Sequence, residues 1–254
     1  MIKANGVEIS PTRFPDGTTQ VWKLPPEMIR MPELSIDWRF EREDEFFMVA
    51  QLRALFHTKP ARLYVPYLPY ARQDKEIAND RTFALDPFAT LLNALHFDRV
   101  TVMDVHNSRA AEFAISNLEM RTPIAFHSAL VEKISPKTII FPDKGAFDRY
   151  PWLHSNPYAV FRKKRDQGTG KILGMELLEG KLEVGTALMV DDICDGGATF
   201  LAVEAALGDV RGQVDLHLFV THGLFSKGKK PLQDAGITLH TTDSLPRNAD
   251  GFAV

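Results

Sequence analysis

Residues 187–200 read Ala187-Leu-Met-Val-Asp-Asp-Ile-Cys-Asp-Gly-Gly-Ala-Thr-Phe200. A short apolar run ends in two adjacent acids, and a third acid, Asp195, is followed by small residues and the hydroxyl of Thr199. This order predicts a strand, a loop and the start of a helix, where backbone N–H groups can close on a phosphate because small side chains leave room. Carboxylates accept hydrogen bonds from sugar hydroxyls, so the stretch predicts a ribose phosphate site. The alternative is an acidic turn that caps the helix.

Apolar runs and helical patterns alternate along the rest of the chain. The runs at 62–68, 100–104, 138–141, 187–190 and 216–221 predict strands, and the patterns at 87–95, 110–115 and 200–207 predict helices. For the first helix we expect Asp86 as N-cap and Pro87 at the first helical position. Alternating strands and helices predict an α/β fold with parallel sheets, in which ligands gather at the carboxyl ends of strands. The polar clusters described below follow such strands.

Composition excludes several classes of protein. The chain has 254 residues, of which 44% are hydrophobic and 25% charged, and its formal net charge is −3. No apolar run approaches the length of a membrane span, no signal peptide is visible, and nothing indicates nucleic acid as a partner. The single cysteine, Cys194, excludes an internal disulfide and a cysteine-rich metal site, so we expect a cytoplasmic protein. We interpret Cys194 as a small packing residue and not as a nucleophile.

Two polar segments follow strands in the first half of the chain. The segment Tyr67-Leu-Pro-Tyr-Ala-Arg-Gln-Asp-Lys75 offers the guanidinium of Arg72 to phosphate oxygens and the amide of Gln73 to a base or sugar. In the second segment, residues 102–107, Asp104 and His106 are close enough in sequence to reach one ligand. The alternatives are an ordinary polar loop and a structural histidine.

Two further segments lie before residue 187. Asp143 follows the strand at 138–141, where it either contacts a ligand or caps the next helix. A basic run at 160–171 contains Lys163 and Arg165 and continues into a stretch with glycines at 168 and 170. Such a run is either a solvated surface or a loop that closes over substrates and excludes water.

Near the N-terminus, Thr12-Arg-Phe-Pro-Asp-Gly-Thr18 places Phe14 and Asp16 in one short segment, which also has the pattern of an Asp-Gly hairpin. Late in the chain, the run at 220–226 reads Val-Thr-His-Gly-Leu-Phe-Ser. We assign this run to architecture and to subunit or effector contacts.

Taken in order from Phe14 to Pro246, these segments resemble those of the ribose-phosphate pyrophosphokinases, or PRPP synthetases. The loop at 187–200 resembles the PRPP-binding loop of type I phosphoribosyltransferases as well. The signature from Tyr70 to Lys75 separates the two families, because phosphoribosyltransferases lack it. The resemblance implies two tandem phosphoribosyltransferase-like domains with parallel sheets flanked by helices, which we place at 1–130 and 131–254.

By this resemblance, Arg72, Gln73, His106, Phe14 and Asp16 bind ATP, the last two reaching in from a neighbouring subunit. Lys163 and Arg165 lie in a mobile catalytic loop and act together with Arg72. The cofactor implied is Mg²⁺, with His106, Asp143 and Asp104 as its candidate ligands. The ribose-phosphate acceptor is assigned to Asp191, Asp192, Asp195, Gly196, Gly197, Ala198 and Thr199. A base site shared between subunits implies a homo-oligomer, dimer-based, with a hexamer as one form.

The reaction implied is transfer of the β,γ-pyrophosphoryl group of Mg-ATP to the anomeric hydroxyl of ribose 5-phosphate, which yields PRPP and AMP. The chain departs from the family pattern at Gly196 and Ala198, in the phosphate loop, and at Thr18, where the family has glutamate. The resemblance also implies a shortened member of the family. With these loop changes, a larger acceptor such as ADP-ribose is the alternative substrate. The protein would then have a role in NAD metabolism. A phosphoribosyltransferase and a non-catalytic regulatory homologue are the competing hypotheses, and neither nucleic acid nor a membrane is expected as a partner.

Overall fold

The computed structural model describes residues 1–74, 82–165 and 172–246. They form two compact units, built mainly from Met1–Thr122 and from Pro123–Asp243. The sequence placed a division between residues 130 and 131, which lies inside the first helix of the second unit. The division falls before this helix because its Leu130 packs into the core of the second unit, against Phe141 and Phe219.

The first unit has a six-stranded sheet with helices. The strands are β1 (Ile2–Ala4), β2 (Val7–Glu8), β3 (Thr12–Arg13), β4 (Thr19–Gln20), β5 (Leu34–Trp38), β6 (Ala61–Tyr64), β7 (Arg99–Met103) and β8 (Leu118–Arg121). The helices are α1 (Pro26–Arg30), α2 (Glu45–Leu55), α3 (Leu85–Asn93) and α4 (Ser108–Ala114). The sheet order is β2-β1-β5-β6-β7-β8, and β5 to β8 are parallel. Strands β3 and β4 form a separate antiparallel hairpin.

The second unit has a sheet of the same size. Its strands are β9 (Thr138–Phe141), β10 (Tyr158–Arg165), β11 (Ile172–Gly180), β12 (Gly185–Cys194), β13 (Val214–Gly223) and β14 (Ile237–Thr241). Its helices are α5 (Ile124–Ile134), α6 (Lys144–Arg149), α7 (Ala198–Ala206) and α8 (Lys230–Asp234). The order is β11-β10-β9-β12-β13-β14, and every pair is parallel except β10 with β11.

Packing on both faces of the second sheet explains its uninterrupted apolar runs. Along β12, Ala187 and Met189 join one core cluster, while Leu188 and Val190 join the cluster on the opposite face. Successive strand residues point to opposite faces, so a strand buried on both sides needs apolar residues at every position. The predicted α/β class, with mostly parallel sheets flanked by helices, is confirmed.

Two predicted boundaries are corrected. Helix α3 begins at Leu85, its N-cap is Ala84, and no side chain caps it, so Asp86 and Pro87 lie inside the first turn. Proline is tolerated there because the first N–H groups of a helix have no intrahelical partner. Strand β12 does not stop at Val190 but includes both following acids. Within the described residues, no helix is long and apolar enough to cross a membrane.

Candidate active site

The candidate site of the second unit lies where β9 and β12 end. These strands are parallel neighbours, with Ile140 paired to Met189, so their carboxyl ends meet at one edge of the sheet. Asp143 follows β9, and Asp191 and Asp192 lie in the last part of β12. Asp143 is therefore brought to the same place as the adjacent pair Asp191 and Asp192, although it lies far from them in sequence.

The acid pair of β12 is crowded and partly buried. The Asp191 carboxylate accepts the N–H of Asp192 at 2.9 Å. Burial, followed by the charges of Asp192 and Asp143, holds the pKa of Asp191 well above its usual value. Asp192 is only 4% exposed, and its Oδ2 lies 3.6 Å from Nη2 of Arg149, at the end of α6. Crowded carboxylates favour a ligand that brings hydroxyl donors or positive charge.

The loop after β12 leaves the start of the next helix open. Gly197 is the N-cap of α7, with φ of 77°, and no side chain caps this helix. A Cβ at position 197 would come within 3.2 Å of the Leu232 side chain, so glycine is required both for its conformation and for space. Helix N-termini carry partial positive charge and unpaired N–H groups, and this one begins at Ala198 and Thr199. The arrangement suits a phosphate.

Cys194, inside the same segment, is a packing residue. Its side chain is fully buried, and burial, together with the charges of Asp191 and Asp195, raises the pKa of the thiol to about 12. A thiol with so high a pKa supplies almost no thiolate near neutral pH, so it is a poor nucleophile.

The run at 220–226 holds this loop in place. Leu224 and Phe225 both donate backbone N–H bonds to the Cys194 carbonyl, at 2.8 and 3.1 Å. The N–H of Ser226 reaches the Asp195 carbonyl at 3.2 Å, and its hydroxyl donates to the Asp195 carboxylate at 2.5 Å. The run therefore fixes the position of the phosphate loop.

Asp143 caps a helix, which is the alternative that the sequence left open. It is the N-cap of α6, and its Oδ1 accepts the N–H of Ala146 at 2.9 Å. Its negative charge nevertheless contributes to the raised pKa of Asp191. Asp143 can thus cap α6 and also lie beside the acid pair.

The basic run forms one strand of a hairpin. Strand β10 pairs with β11, and Lys163 lies opposite Met175. The neighbouring Arg162 is ion-paired to Glu176 across the hairpin at 2.8 Å. Lys163 itself is exposed. The side chain of Arg165 and the glycines at 168 and 170 lie outside the described residues.

In the first unit, two predicted binding segments meet. The Asn107 side-chain amide donates a hydrogen bond to the carboxylate of Asp74, which is 8% exposed. This bond connects the segment that carries Arg72 and Gln73, both exposed, to the segment that carries His106, also exposed. The same Asn107 caps α4 by accepting the N–H of Ala110. The predicted ATP-binding side chains therefore project from two connected loops.

Two residues of these loops adopt the left-handed backbone conformation. Asp104, with φ of 44°, is 7% exposed and directs its N–H to the Arg121 carbonyl. Tyr70, with φ of 63°, donates its hydroxyl to Glu43 at 2.7 Å, and burial raises its pKa to about 12. Non-glycine residues with positive φ are uncommon and are held by their surroundings. The burial of Asp104 distinguishes it from the exposed His106.

The segment with Phe14 and Asp16 is the predicted Asp-Gly hairpin, between β3 and β4. Asp16 accepts both the N–H and the hydroxyl of Thr18, at 3.0 and 2.7 Å. Phe14 is 41% exposed. The ring of Phe14 is therefore accessible at the surface of the hairpin.

Among the residues that the structure describes, no three His, Cys, Asp or Glu side chains form a group that could hold a metal ion. Magnesium does not require such a cage, because it is commonly bound by one or two carboxylates together with substrate phosphates and water. Asp143 fits that mode, since its charge contributes to the raised pKa of Asp191 and a cation would relieve this repulsion.

The sequence did not point to Arg149 or Asn107. Arg149 lies far from the acid pair in the chain and has no motif around it, whereas Asn107 could have been found, since an Asn at the end of a strand and before a helical pattern is a common N-cap.

Comparison with known proteins gives a consistent result, although no protein-family model matches the chain. The ribose-phosphate pyrophosphokinase of Pyrococcus furiosus is 27% identical, over 96% of this chain and 88% of that one. That of Sulfurisphaera tokodaii is 23% identical, over 95% and 86%. The chain is a homologue of the ribose-phosphate pyrophosphokinases. This homology supports a diphosphokinase-type transferase.

The fold agrees with this homology. The crystal structure of phosphoribosylpyrophosphate synthetase from Mycobacterium smegmatis superimposes with a TM-score of 0.72 at 19% identity, and the match covers 97% of this chain and 84% of that one. This match shows the fold, and the predicted family resemblance is confirmed by the similarity in sequence to the ribose-phosphate pyrophosphokinases.

Proposed function

We propose that this protein transfers the β,γ-pyrophosphoryl group of ATP to the anomeric hydroxyl of ribose 5-phosphate. One observation carries the proposal: the uncapped start of α7 follows, after a short loop, a strand whose last part includes Asp191 and Asp192. N–H donors for a phosphate and carboxylate acceptors for sugar hydroxyls are thus separated by only a few residues of chain. The homology to ribose-phosphate pyrophosphokinases supplies the reaction class.

In the acceptor half of the site, the carboxylates of Asp191 and Asp192 accept hydrogen bonds from the ribose 2- and 3-hydroxyls. The segment from Asp195 to Thr199 binds the phosphate on C5. The donors are the backbone N–H groups of Ala198 and Thr199 and the Thr199 hydroxyl. Arg149 keeps Asp192 in place, 3.6 Å from its Oδ2.

In the ATP half, Arg72 and Gln73 bind phosphate and base or sugar, His106 contacts the nucleotide, and Phe14 stacks near the base beside Asp16. Lys163 and Arg165 neutralise charge on the transferred group. The anomeric oxygen bonds to the β-phosphorus as the bond from this phosphorus to the α,β-bridging oxygen breaks. AMP leaves with that electron pair, and the hydroxyl proton passes to solvent. Such a reaction depends on positioning and charge neutralisation more than on a strong base.

Mg²⁺ is the proposed cofactor, and when bound it supplies further charge neutralisation on the phosphates. Its candidate ligands are Asp143 in the second unit and His106 and Asp104 in the first, of which Asp104 is the weaker because it is buried. We also propose a cytoplasmic homo-oligomer, dimer-based or hexameric.

The proposal is tested by incubating the protein with Mg-ATP and measuring AMP release, with ribose 5-phosphate in one series and ADP-ribose in another. The second acceptor is included because Gly196 and Ala198 provide no side-chain hydroxyl to a phosphate. We expect AMP with ribose 5-phosphate. AMP with ADP-ribose alone would reassign the acceptor, and no AMP with either would exclude a pyrophosphokinase and favour a phosphoribosyltransferase or a regulatory protein.

A further inference from the structure

The side chain of Lys227 lies across the phosphate loop. A Cβ built at Gly196 would lie 3.3 Å from Cδ and 3.4 Å from Cε of this lysine, so its methylene chain packs over the glycine. The backbone just before Lys227 is attached to the same loop by the hydrogen bonds of Leu224, Phe225 and Ser226 described above. The lysine is therefore held beside position 196 by its own backbone.

The charge of Lys227 is available. Within the described part of the chain, its ammonium makes no hydrogen bond or ion pair, and the side chain is exposed. Its neighbours in sequence differ, since Lys230 is paired to Asp234 at 2.6 Å and Lys229 lies 5.6 Å from the centre of the Phe225 ring. Only one of the three lysines thus combines contact with the loop and an unengaged ammonium.

The phosphate loop has few side-chain hydrogen-bond donors. Positions 196, 197 and 198 carry no side-chain donor, and Thr199 has the one hydroxyl of the stretch from 196 to 199. A phosphate monoester carries up to two negative charges and accepts many hydrogen bonds. A lysine ammonium supplies three donors and a full positive charge on a flexible stem.

We propose that Lys227 binds the phosphate on C5 of the acceptor and makes the site selective for a terminal phosphate monoester. This inference rests on the proposed function, because it assigns the phosphate to the loop at 195–199. The corresponding phosphate of ADP-ribose carries only one negative charge, because it continues into a second phosphate. The lysine therefore attracts the terminal monoester more strongly.

The test compares the wild-type protein with Lys227→Ala, Lys227→Arg and the matched control Lys230→Ala. Calorimetric titration measures the binding of ribose 5-phosphate, and AMP release measures KM and kcat for both ribose 5-phosphate and ADP-ribose. Thermal unfolding of each variant confirms that it is folded, which the exposed position of the side chain favours.

We expect Lys227→Ala to weaken ribose 5-phosphate binding and raise its KM about tenfold, the effect of one charge-assisted hydrogen bond. The kcat stays unchanged, the loss with ADP-ribose is smaller, Lys227→Arg retains most of the affinity, and Lys230→Ala behaves as wild type. Unchanged affinity in Lys227→Ala, or an equal loss in Lys230→Ala, would overturn the phosphate contact. Equal losses for the two acceptors would overturn the selectivity.

The two proposals fail in different ways. If ribose 5-phosphate binds to the wild-type protein and less to Lys227→Ala, but no AMP is released, the proposed reaction is wrong and the role of Lys227 stands. If AMP is released with an unchanged KM in Lys227→Ala, the reaction stands and the role of Lys227 is wrong. A wild-type protein that does not bind ribose 5-phosphate would contradict the role of Lys227 directly.

Discussion

Single residues decide whether a helix in this protein can hold an anion at its N-terminus. Helices α4 and α6 are capped by Asn107 and Asp143, each of which accepts one of the first helical N–H groups through its side chain. The N-cap of helix α7 is instead Gly197, which has no side chain to compete with a ligand. The difference leaves the start of α7 available for a phosphate.

We therefore expect Gly197→Ala to disrupt the phosphate loop. Alanine at φ of 77° is strained, and its Cβ would press on Leu232 at 3.2 Å, so stability should fall by about 1–2 kcal/mol and ribose 5-phosphate binding should be lost. Denaturant unfolding and calorimetry measure the two effects. Gly212→Ala is the control, because a Cβ at position 212 has nothing within 4 Å. Equal behaviour of the two variants would contradict this role of Gly197.

The Arg149–Asp192 contact gives a second prediction at this scale. Arg149→Met removes the cation that lies 3.6 Å from the Asp192 carboxylate, whose side chain is 5% exposed, so we expect a loss of about 3 kcal/mol in the free energy of unfolding. Arg162→Met is the comparison, because its partner Glu176 is 36% exposed and such pairs contribute about 1 kcal/mol or less. Adding Asp192→Asn to Arg149→Met should recover part of the loss. Equal losses from the two single variants would show that burial is not the cause.

At the scale of elements, the β10–β11 hairpin separates two adjacent lysines. Lys163 and Lys164 are both exposed, but successive strand residues point to opposite faces, so only one of them can face a given ligand. We expect Lys163→Ala to lower kcat about a hundredfold, the scale of removing one charge that stabilises a transition state. Lys164→Ala should have little effect. Steady-state AMP release distinguishes them, and the reverse order would place the other face of the hairpin at the substrate.

Helix α5 carries a buried histidine with a predictable effect on acid stability. His127 is fully buried, its Nδ1 accepts from the Trp152 indole at 3.1 Å, and Nε2 has no partner among the described residues. It faces the rings of Tyr150, Trp152 and Phe219, and burial lowers its pKa to about 3. The folded state therefore keeps His127 neutral where the unfolded chain already takes up a proton.

Between pH 6.5, the usual pKa of histidine, and pH 3, this difference should reduce stability by about 1.4 kcal/mol per pH unit. Above pH 6.5 the residue has no such effect. His127→Gln can still accept from Trp152 but cannot titrate, so its stability should fall less steeply on acidification. Denaturant unfolding at several pH values measures the difference, and parallel pH profiles for the two proteins would contradict the assignment.

Strand predictions differed in accuracy, and the strand predicted at 62–68 ends already at Tyr64. The run at Thr138–Phe141 matches β9 residue for residue, because a strand covered on both faces has apolar residues throughout. Strand β12 was underestimated, since the acids at 191 and 192 end the apolar pattern but not the pairing with β13. Hydrogen bonding of the backbone continued where the side-chain pattern stopped.

The site was predictable where its residues are consecutive. The loop from Asp195 to Thr199 could be recognised because glycine, small residues and a hydroxyl before a helix have a direct physical meaning. Arg149 and Lys227 could not, because each reaches the site from a separate part of the chain through the packing of α6 and of the segment after β13. Their relevance is visible only in three dimensions.

For the whole molecule, the two units explain why the predicted segments fall into two groups. Arg72, Gln73 and His106 belong to the unit built from Met1–Thr122, whereas Asp143, Lys163 and the acid pair belong to the unit built from Pro123–Asp243. Each unit has its own sheet and its own core. The proposed reaction assigns the donor nucleotide mainly to the first unit and the acceptor to the second.

In the most direct test, ATP that carries ³²P in its γ-phosphate is incubated with Mg²⁺, ribose 5-phosphate and the wild-type protein, and the label is followed into the products. Pyrophosphoryl transfer predicts that the label appears in a sugar product that carries a diphosphate, with one AMP formed for each. Label in inorganic phosphate, with ADP as the nucleotide product, would show hydrolysis or transfer of a single phosphoryl group and would contradict the proposed function.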